Sequence, residues 1–164
     1  MNVPATIDSF SGEWDFLSNF YPAEIWLDEI AYASVEHAYQ AAKTADLEKR
    51  RIFQIEFNPR LTAARAKRIG RKMKPIRKDW DQIRTGIMLG LLGQKFGPTH
   101  MLQKLLSTMK AELIEGNWWH DDFWGVCYGG QPEGFRGHFC DRGPHEPVGE
   151  NYLGKLLMQV RGIQ

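Results

Sequence analysis

One stretch of the sequence places three polar side chains at helical spacing. Glu36, Gln40 and Lys43 lie in SVEHAYQAAK, and steps of four and seven residues put all three on one face of a helix. A carboxylate, an amide and an ammonium in a row can be a solvated surface face. If the face lines a cavity, they become a base or charge stabiliser, an orienting amide and a cation. The spacing leaves both interpretations open.

A second stretch interleaves aromatic rings with acids. Residues 118–125, WWHDDFWG, contain three tryptophans and two aspartates. Core segments prefer aliphatic side chains, and buried carboxylates need partners. The pattern favours a site that stacks a flat ring and handles positive charge beside it. A capped surface turn with stacked tryptophans is the alternative.

Metal-ligating residues are present, but their spacing is not that of a metal site. Cys127, His138, Cys140 and His145 could be drawn as a zinc site, yet no CxxC or HxxxH pattern supports it. The sequence also contains no GxSxG motif, no Walker loop and no GxGxxG after a strand. We therefore predict no metal and no cofactor.

Local signals in the first part of the chain predict the elements that position Glu36, Gln40 and Lys43. Apolar residues on both sides of Asp28-Glu29 predict a β-hairpin, and residues 16–22, FLSNFYP, predict a loop beside a cavity. Four helices are predicted here. Ser34 and Asp79 are predicted to cap the first and the fourth, which is the longest; the second begins after Asp46 and runs toward Phe57, and the third spans residues 62–72.

Signals in the second part are sparser. A further helix is predicted over residues 99–108 and a short strand over 112–115. Residues 126–149 are rich in glycine and poor in aliphatic side chains, which predicts a long loop. Asn151 is predicted to cap a terminal helix. The fold class is therefore mainly α, a single compact multi-helical domain over residues 1–164 with a few short N-terminal β-strands.

Composition sets limits on the class of protein. With 164 residues, 43% hydrophobic and 25% charged, the chain can bury a core as one domain without disulfides. Its 21 basic and 20 acidic residues nearly balance, so net charge does not steer it toward nucleic acid. Basic residues do crowd positions 60–78, where a solvated helix face competes with a phosphate-holding rim. No signal peptide or membrane span is visible, which predicts a cytoplasmic protein with reduced thiols.

Several motifs in order resemble the NADAR domain, also called the YbiA-like family. The resemblance covers nearly the whole chain, and several motifs in a fixed order are more specific than any one of them. The motifs are FLSNFYP at 16–22, SVEHAYQAAK at 34–43, DW at 79–80, KF at 95–96, LLSTM at 105–109, LIE at 113–115, DDFWG at 121–125 and GENYLGKLLMQVR at 149–161.

The resemblance implies a YbiA-like, mainly α fold and N-glycosidase activity. It implies cleavage of a ribosyl C1–N bond, either in a phosphorylated ribosylaminopyrimidine of riboflavin synthesis or in ADP-ribosylated guanine of nucleic acid. The catalytic residues it implies are Glu36, Lys43 and Asp121. Substrate-binding residues are expected in the same motifs; they are Asn19, Phe20, Gln40, Trp80, Trp124, Gly125 and Asn151.

The sequence departs from the family pattern between WG and GxNxLG. The family has a short glycine turn there, whereas this chain inserts a stretch that contains Arg136, Arg142 and both cysteines. Insertions beside a site change its specificity, so the departure bears on the identity of the substrate more than on the reaction.

Two other classes of function stay open. One is a non-catalytic module that binds ADP-ribose or NAD, and the other is an interaction protein with an exposed apolar patch. The sequence leaves the oligomeric state open.

Overall fold

A computed structural model describes residues 3–97, 99–130 and 144–163. Its residues cluster into two units: Ser18–Gln103, which we term the central unit, and Met1–Leu17 with Lys104–Gln164, the terminal unit. Six α-helices and seven short strands lie among the described residues. In chain order they are β1 (Thr6–Ile7), β2 (Ile25–Leu27), β3 (Ile30–Tyr32), α1 (Val35–Ala41), α2 (Leu47–Arg50), α3 (Ala63–Lys72), α4 (Trp80–Lys95), α5 (Thr99–Ser107), β4 (Glu112–Leu113), β5 (Gly116–Asn117), β6 (Val126–Gly129), β7 (Pro144–Val148) and α6 (Tyr152–Ile163).

The hairpin of the central unit confirms the prediction around Asp28-Glu29. Strands β2 and β3 pair antiparallel, with Leu27 opposite Ile30. Asp28 and Glu29 have φ of 50° and 62°. A two-residue type I′ turn requires this left-handed backbone at both of its central positions. Arg50 stabilises the turn. Its guanidinium forms an ion pair with Asp28, and its Nε donates to the Thr44 carbonyl at 2.7 Å.

The predicted N-cap at Ser34 is confirmed, and the helices predicted to start at Asp46 and Thr62 are capped by those residues. Ser34 Oγ accepts from His37 N, Asp46 Oδ1 from Glu48 N and Thr62 Oγ1 from Arg65 N. Asp79 does precede the longest helix, α4, but its side chain makes no cap hydrogen bond. Its carboxylate binds Arg77 instead, with Arg77 Nε 2.7 Å from Oδ1.

The second helix is shorter than predicted. It ends at Arg50, and a 3-10 turn over Arg51–Phe53 follows it. Gln54 then has extended backbone (ψ 143°) and forms an antiparallel β-bridge with Tyr32 of β3. This tertiary pairing ends the helical backbone before Phe57. No local signal in residues 47–57 predicts that end.

The terminal unit contains more strand than predicted. β1 pairs parallel with β4, β5 pairs parallel with β6, and β6 pairs antiparallel with β7. Four of the seven described strands therefore follow residue 111. The N-terminal strands and the strand predicted within 112–115 are present, whereas β5, β6 and β7 were not predicted. The predicted loop over 126–149 likewise has strands at both ends, while residues 131–143 lie outside the described residues.

The cores of both units are apolar and closely packed. Fully buried residues of the central unit include Phe53, Leu91 and Leu92, and those of the terminal unit include Leu113 and Leu157. None of the helices in the described part of the chain is long and apolar enough to cross a membrane. The assignment of residues 1–164 to one domain stays a prediction.

Candidate functional site

Helix α1 buries its polar face. Glu36 is only 4% exposed and Gln40 only 3%, and every residue of the helix is buried. Gln40 Nε2 donates to Glu36 Oε1 at 2.8 Å, across the i to i+4 step that the sequence predicted. Lys43, just beyond the helix, is half-buried. The face is therefore not a solvated surface, and Gln40 supplies one of the hydrogen bonds that a buried carboxylate requires.

The neighbouring His37 has a structural setting. Its Nε2 donates to the Leu61 carbonyl at 2.9 Å, and its Nδ1 accepts from Ser34 Oγ at 2.8 Å. Burial lowers the pKa of His37, because the charged imidazolium loses more hydration than the neutral ring. This histidine ties α1 to the segment before α3.

The position of Gln40 depends on Gly70 in α3. A methyl group at Gly70 would overlap the Gln40 carboxamide, so the absence of a side chain there is what admits it. Gln40 Oε1 is buried and has no hydrogen-bond partner among the described residues. Buried acceptors are nearly always satisfied in folded proteins, and a ligand hydroxyl or a water is the kind of donor that would satisfy this one.

The segment 16–22 brings Asn19 beside Glu36. The Asn19 carbonyl accepts from Glu36 N at 3.0 Å, and the side chain of Asn19 is 8% exposed. Its Nδ2 lies 3.6 Å from Met88 Sδ, while its Oδ1 is a second buried acceptor with no partner in the described residues. Phe20 next to it is 39% exposed, with Lys67 Nζ 5.8 Å from the ring centroid.

Lys43, Tyr39 and Trp80 form a row on the same unit. Lys43 Nζ lies 5.8 Å from the centroid of the Tyr39 ring, and that ring packs at 5.0 Å and 52° against Trp80. Trp80 is 8% exposed, so little of its indole is free for stacking. The Lys43 carbonyl accepts from Arg77 N at 2.9 Å, which ties the end of α1 to the segment before α4.

Lys95 is a buried cation that the sequence did not single out. Its side chain is 1% exposed, and Nζ donates to the Ser18 carbonyl at 2.6 Å, next to Asn19. The ammonium also lies 5.5 Å from the Tyr21 ring centroid. One signal could have found it: Lys95 continues the buried stripe of Leu91 and Leu92 at helical spacing, where an apolar residue is expected.

The basic stretch 60–78 is mostly solvent-exposed, as the simpler interpretation predicted. Lys67 and Arg77 are half-buried exceptions. Arg77 binds both oxygens of Asp79, with Nε and one Nη at 2.7 and 2.9 Å. This pairing raises the pKa of Arg77 and lowers that of Asp79, because each charge stabilises the other.

In the terminal unit, Asp121 closes a turn. Its Oδ1 accepts from Trp124 N at 3.0 Å. The buried side chain of Asn117 holds the same residue from both sides, since Oδ1 accepts from Asp121 N at 3.1 Å and Nδ2 donates to the Asp121 carbonyl at 3.0 Å. Gly125 packs tightly against the Glu115 backbone. The capped turn that the sequence allowed is present, and Asp121 is fixed within it.

Aromatic rings and Asn151 complete this region. Phe123 stacks on Tyr152 at 4.5 Å and meets Trp124 edge-on at 4.9 Å. Asn151 has φ of 51° and sends its side chain to the backbone: Nδ2 donates to the Leu113 carbonyl at 2.9 Å, and Oδ1 accepts from Glu115 N at 3.1 Å. These two hydrogen bonds connect Asn151 to β4 and to the residues that follow that strand.

The predicted site residues thus fall into two groups. Asn19, Phe20, Glu36, Gln40, Lys43 and Trp80 belong to the central unit, where contacts link Asn19, Glu36 and Gln40 and separately link Lys43 to Trp80 through Tyr39. The terminal unit contains Asp121, Trp124, Gly125 and Asn151. Their functional roles stay predictions. The terminal unit also gathers three residues able to ligate a metal: His120, Asp122 and Cys127.

Comparison with known proteins places the chain in a family. The NADAR domain model matches residues 9–163, so the chain belongs to the NADAR domain family, and the predicted resemblance is confirmed. The NMR structure of the Escherichia coli protein YbiA is similar to this fold, with a TM-score of 0.69 and 30% sequence identity. That match covers 97% of this chain and 84% of the YbiA chain.

Two curated relatives extend the comparison. The chain is 31% identical over 145 residues to N-glycosidase Npun_R5314 of Nostoc punctiforme, covering 88% of this chain and 81% of that protein. It is 32% identical over 171 residues to the riboflavin biosynthesis protein PYRR, chloroplastic, of Zea mays. That alignment covers 94% of this chain but 25% of the maize protein, so the chain spans about a quarter of that relative's length.

Proposed function

We propose that this chain is an N-glycosidase that hydrolyses the bond between a ribosyl C1 and a nitrogen. The observation that carries the proposal is the buried carboxylate of Glu36, held by Gln40 at 2.8 Å in a member of the NADAR family. A relative of similar length bears the name N-glycosidase. A hydrolase acting on N-glycosyl bonds fits a fixed negative charge in a protected setting.

Glu36 is proposed as the group that meets the developing charge. As the C1–N bond breaks, its electron pair leaves with the nitrogen, and positive charge develops on C1 and the ring oxygen. A carboxylate fixed near C1 stabilises that charge and accepts a proton from the water that attacks C1. The leaving nitrogen takes up a proton. Asp121 is the second proposed carboxylate, with one oxygen already oriented by Trp124 N.

Hydrogen-bonding groups around Glu36 are proposed to hold the ribose. Asn19 Oδ1 and Gln40 Oε1 are buried acceptors, and sugar hydroxyls are suitable donors to them. Phe20 offers an exposed ring for a heterocycle, whereas Trp80 is only 8% exposed and packs against Tyr39. Trp124 and Gly125 remain proposed contributors from the terminal unit. Asn151, also predicted to bind substrate, is proposed instead as a positioning residue, because both polar atoms of its carboxamide bond the backbone.

Lys43 is proposed as a cation that hydrogen-bonds the substrate rather than as a nucleophile. Its ammonium lies 5.8 Å from the centroid of the Tyr39 ring, a cation–π arrangement. Imine formation requires the neutral amine. Exposed basic residues of the 60–78 stretch are the proposed contacts for a substrate phosphate.

The proposed substrate is a phosphorylated ribosylaminopyrimidine. The maize relative's name places that protein in riboflavin biosynthesis, and the basic stretch suits a phosphorylated small molecule. ADP-ribosylated guanine in nucleic acid offers the same C1–N bond, so it belongs in the same assay. No step of this scheme uses a cofactor or a metal, and a cytoplasmic location remains part of the proposal.

Product release by mass spectrometry tests the proposal. Purified protein is incubated with a 5′-phosphoribosylaminopyrimidine and, separately, with DNA bearing ADP-ribosyl-guanine. Glu36→Gln keeps the side-chain shape and is expected to lower the rate about 10²–10⁴-fold, the range for a group that handles charge or a proton in the transition state. Glu48→Gln, at an exposed position of α2, is the matched control and is expected to keep full turnover.

Two outcomes would overturn the proposal. A folded Glu36→Gln protein with full turnover would remove the carboxylate from the mechanism. No release from either substrate, with ADP-ribose binding retained, would favour the non-catalytic binding module.

A further inference from the structure

Three side chains with metal-ligating atoms converge in the terminal unit. A ring nitrogen of His120, a carboxylate oxygen of Asp122 and the sulfur of Cys127 all lie within 4.8 Å of one another. Cys127 is completely buried, and the other two residues are half-buried. A nitrogen, an oxygen and a sulfur donor at this separation form a mixed set that surface acidic clusters do not offer.

His145 in β7 adds a fourth donor. Its Nε2 lies 3.9 Å from Cys127 Sγ, and its Nδ1 lies 2.6 Å from the Glu146 carbonyl oxygen. A carbonyl only accepts, so Nδ1 is the donor in that bond, and Nε2 is the ring nitrogen that faces Cys127 Sγ. Ligating histidines in zinc proteins typically donate their other ring nitrogen to a backbone carbonyl in this way.

Strand pairing explains why these residues meet. Asn117 of β5 pairs with Cys127 of β6, and Cys127 pairs in turn with Val148 of β7. The turn between β5 and β6 contains His120 and Asp122, and Asn117 braces that turn through its bonds to Asp121. The four donors therefore come from a turn and two adjacent strands, which keep them together without any short sequence motif.

We propose that His120, Asp122, Cys127 and His145 bind one divalent transition-metal ion, and that the ion is zinc. Zinc accepts nitrogen, sulfur and carboxylate ligands in tetrahedral sites, with bonds of about 2.0–2.3 Å. Such bonds place ligand atoms about 3.3–3.8 Å apart, so the three donors that lie within 4.8 Å of one another draw closer on binding, and the His145 ring turns toward them from its place beside Cys127. The thiol loses its proton on binding, because the thiolate is the ligand.

The role of the ion is structural. It joins the turn that contains Asp121 and Trp124 to strands β6 and β7, and four protein ligands leave no open position for a reacting water. The inference does not depend on the proposed N-glycosidase activity, since metal content and affinity are measured without a substrate.

Metal binding to the full-length protein tests the site. Chelator-treated protein is expected to bind one equivalent of zinc in competition with a chromophoric indicator, and elemental analysis checks the stoichiometry. Cobalt(II) reports the ligands, because a thiolate ligand gives an intense sulfur-to-cobalt absorption band. Cys127→Ser is expected to abolish that band. Cys127→Ser and His120→Asn are each expected to weaken zinc binding at least tenfold, and His100→Asn, at an exposed position of α5, is the matched control.

Contrary outcomes are defined for both measurements. Absence of stoichiometric zinc binding would overturn the site. Unchanged zinc affinity in folded Cys127→Ser and His120→Asn proteins would do the same, because the ion would then be held elsewhere. If these variants fail to fold, the cobalt spectrum of the unaltered protein decides, and a spectrum without the sulfur-to-cobalt band would contradict ligation by Cys127.

Discussion

The carboxamide of Gln40 donates to the buried carboxylate of Glu36 at 2.8 Å, one helical turn away along α1. This bond joins the two side chains within a helix whose residues are all buried. The same carboxamide occupies the space that Gly70 leaves in α3. The geometry around Glu36 therefore depends on a residue that has no side chain.

Gly70→Ala is expected to displace Gln40 and disturb Glu36. The added methyl overlaps a buried side chain, so we expect a loss of about 1–3 kcal/mol in the free energy of unfolding, together with reduced turnover. Urea denaturation and product release measure the two effects. Gly86→Ala is the matched control, since nothing lies within 4 Å of its added Cβ in α4, and it is expected to gain about 0.5–1 kcal/mol.

A double variant tests whether the cost of Gly70→Ala comes from overlap with Gln40 or from strain elsewhere in α3. Gln40→Ala removes the side chain that the new methyl meets, so Gly70→Ala is expected to cost less in that background. Equal costs of Gly70→Ala in both backgrounds would show that Gln40 is not the group displaced.

Lys43→Met is expected to slow turnover, and the unaltered protein is expected to form no covalent intermediate at Lys43. Loss of a charged hydrogen-bond donor to the substrate, worth about 1.5–3 kcal/mol, corresponds to roughly a 10–100-fold fall in kcat/KM. Reduction with borohydride during turnover is expected to leave the Lys43 peptide unmodified by mass spectrometry. Lys49→Met, at an exposed position, controls for the loss of one surface charge. A reduced sugar adduct on Lys43 would instead establish a nucleophile.

Stability is expected to fall as the pH drops below the ordinary range of histidine. Burial lowers the pKa of His37 in the folded protein, so the unfolded chain takes up a proton first as the pH falls. The stabilising contribution of neutral His37 is therefore present above about pH 6.5 and is lost as the pH falls toward the folded pKa. Denaturant midpoints at about pH 7.5 and 5.5 measure it.

The contribution of His37 is isolated by two variants. His37→Gln is expected to be less stable at both pH values but to show a smaller difference between them. His100→Gln, at an exposed position, is expected to keep the full difference. A pH dependence in His37→Gln equal to that of the unaltered protein would assign it to other groups.

The sequence predicted best where the determinants are local. The hairpin at Asp28-Glu29 follows from its two-residue turn, and the caps at Ser34, Asp46 and Thr62 act within one turn of helix. The motifs also indicated the family correctly, because several of them occur in a fixed order. Burial of Glu36 and Gln40 was left open, since helical spacing is the same for a surface face and a buried one.

Features that arise from tertiary pairing could not be predicted from the sequence. The end of α2 is set by the bridge between Gln54 and Tyr32, and the strands β6 and β7 lie at opposite ends of a glycine-rich stretch, so their pairing is not local in sequence. The cluster of His120 and Cys127 forms only when β5 and β6 pair, so the spacing that defines familiar zinc motifs is absent. Lys95 was overlooked because a lysine in a helix is expected to be solvated.

Asn151→Ala is expected to destabilise the terminal unit more than it affects substrate binding. The side chain of Asn151 bonds the Leu113 carbonyl and Glu115 N, and truncation leaves both backbone groups unpaired at a cost of about 2–4 kcal/mol. Urea denaturation measures this loss, and Gln159→Ala, exposed on α6, is expected to change stability by less than about 0.5 kcal/mol. KM of the folded fraction is expected to stay near that of the unaltered protein, because both amide atoms are committed to the backbone. Unchanged stability with a raised KM would instead assign Asn151 to direct substrate contact.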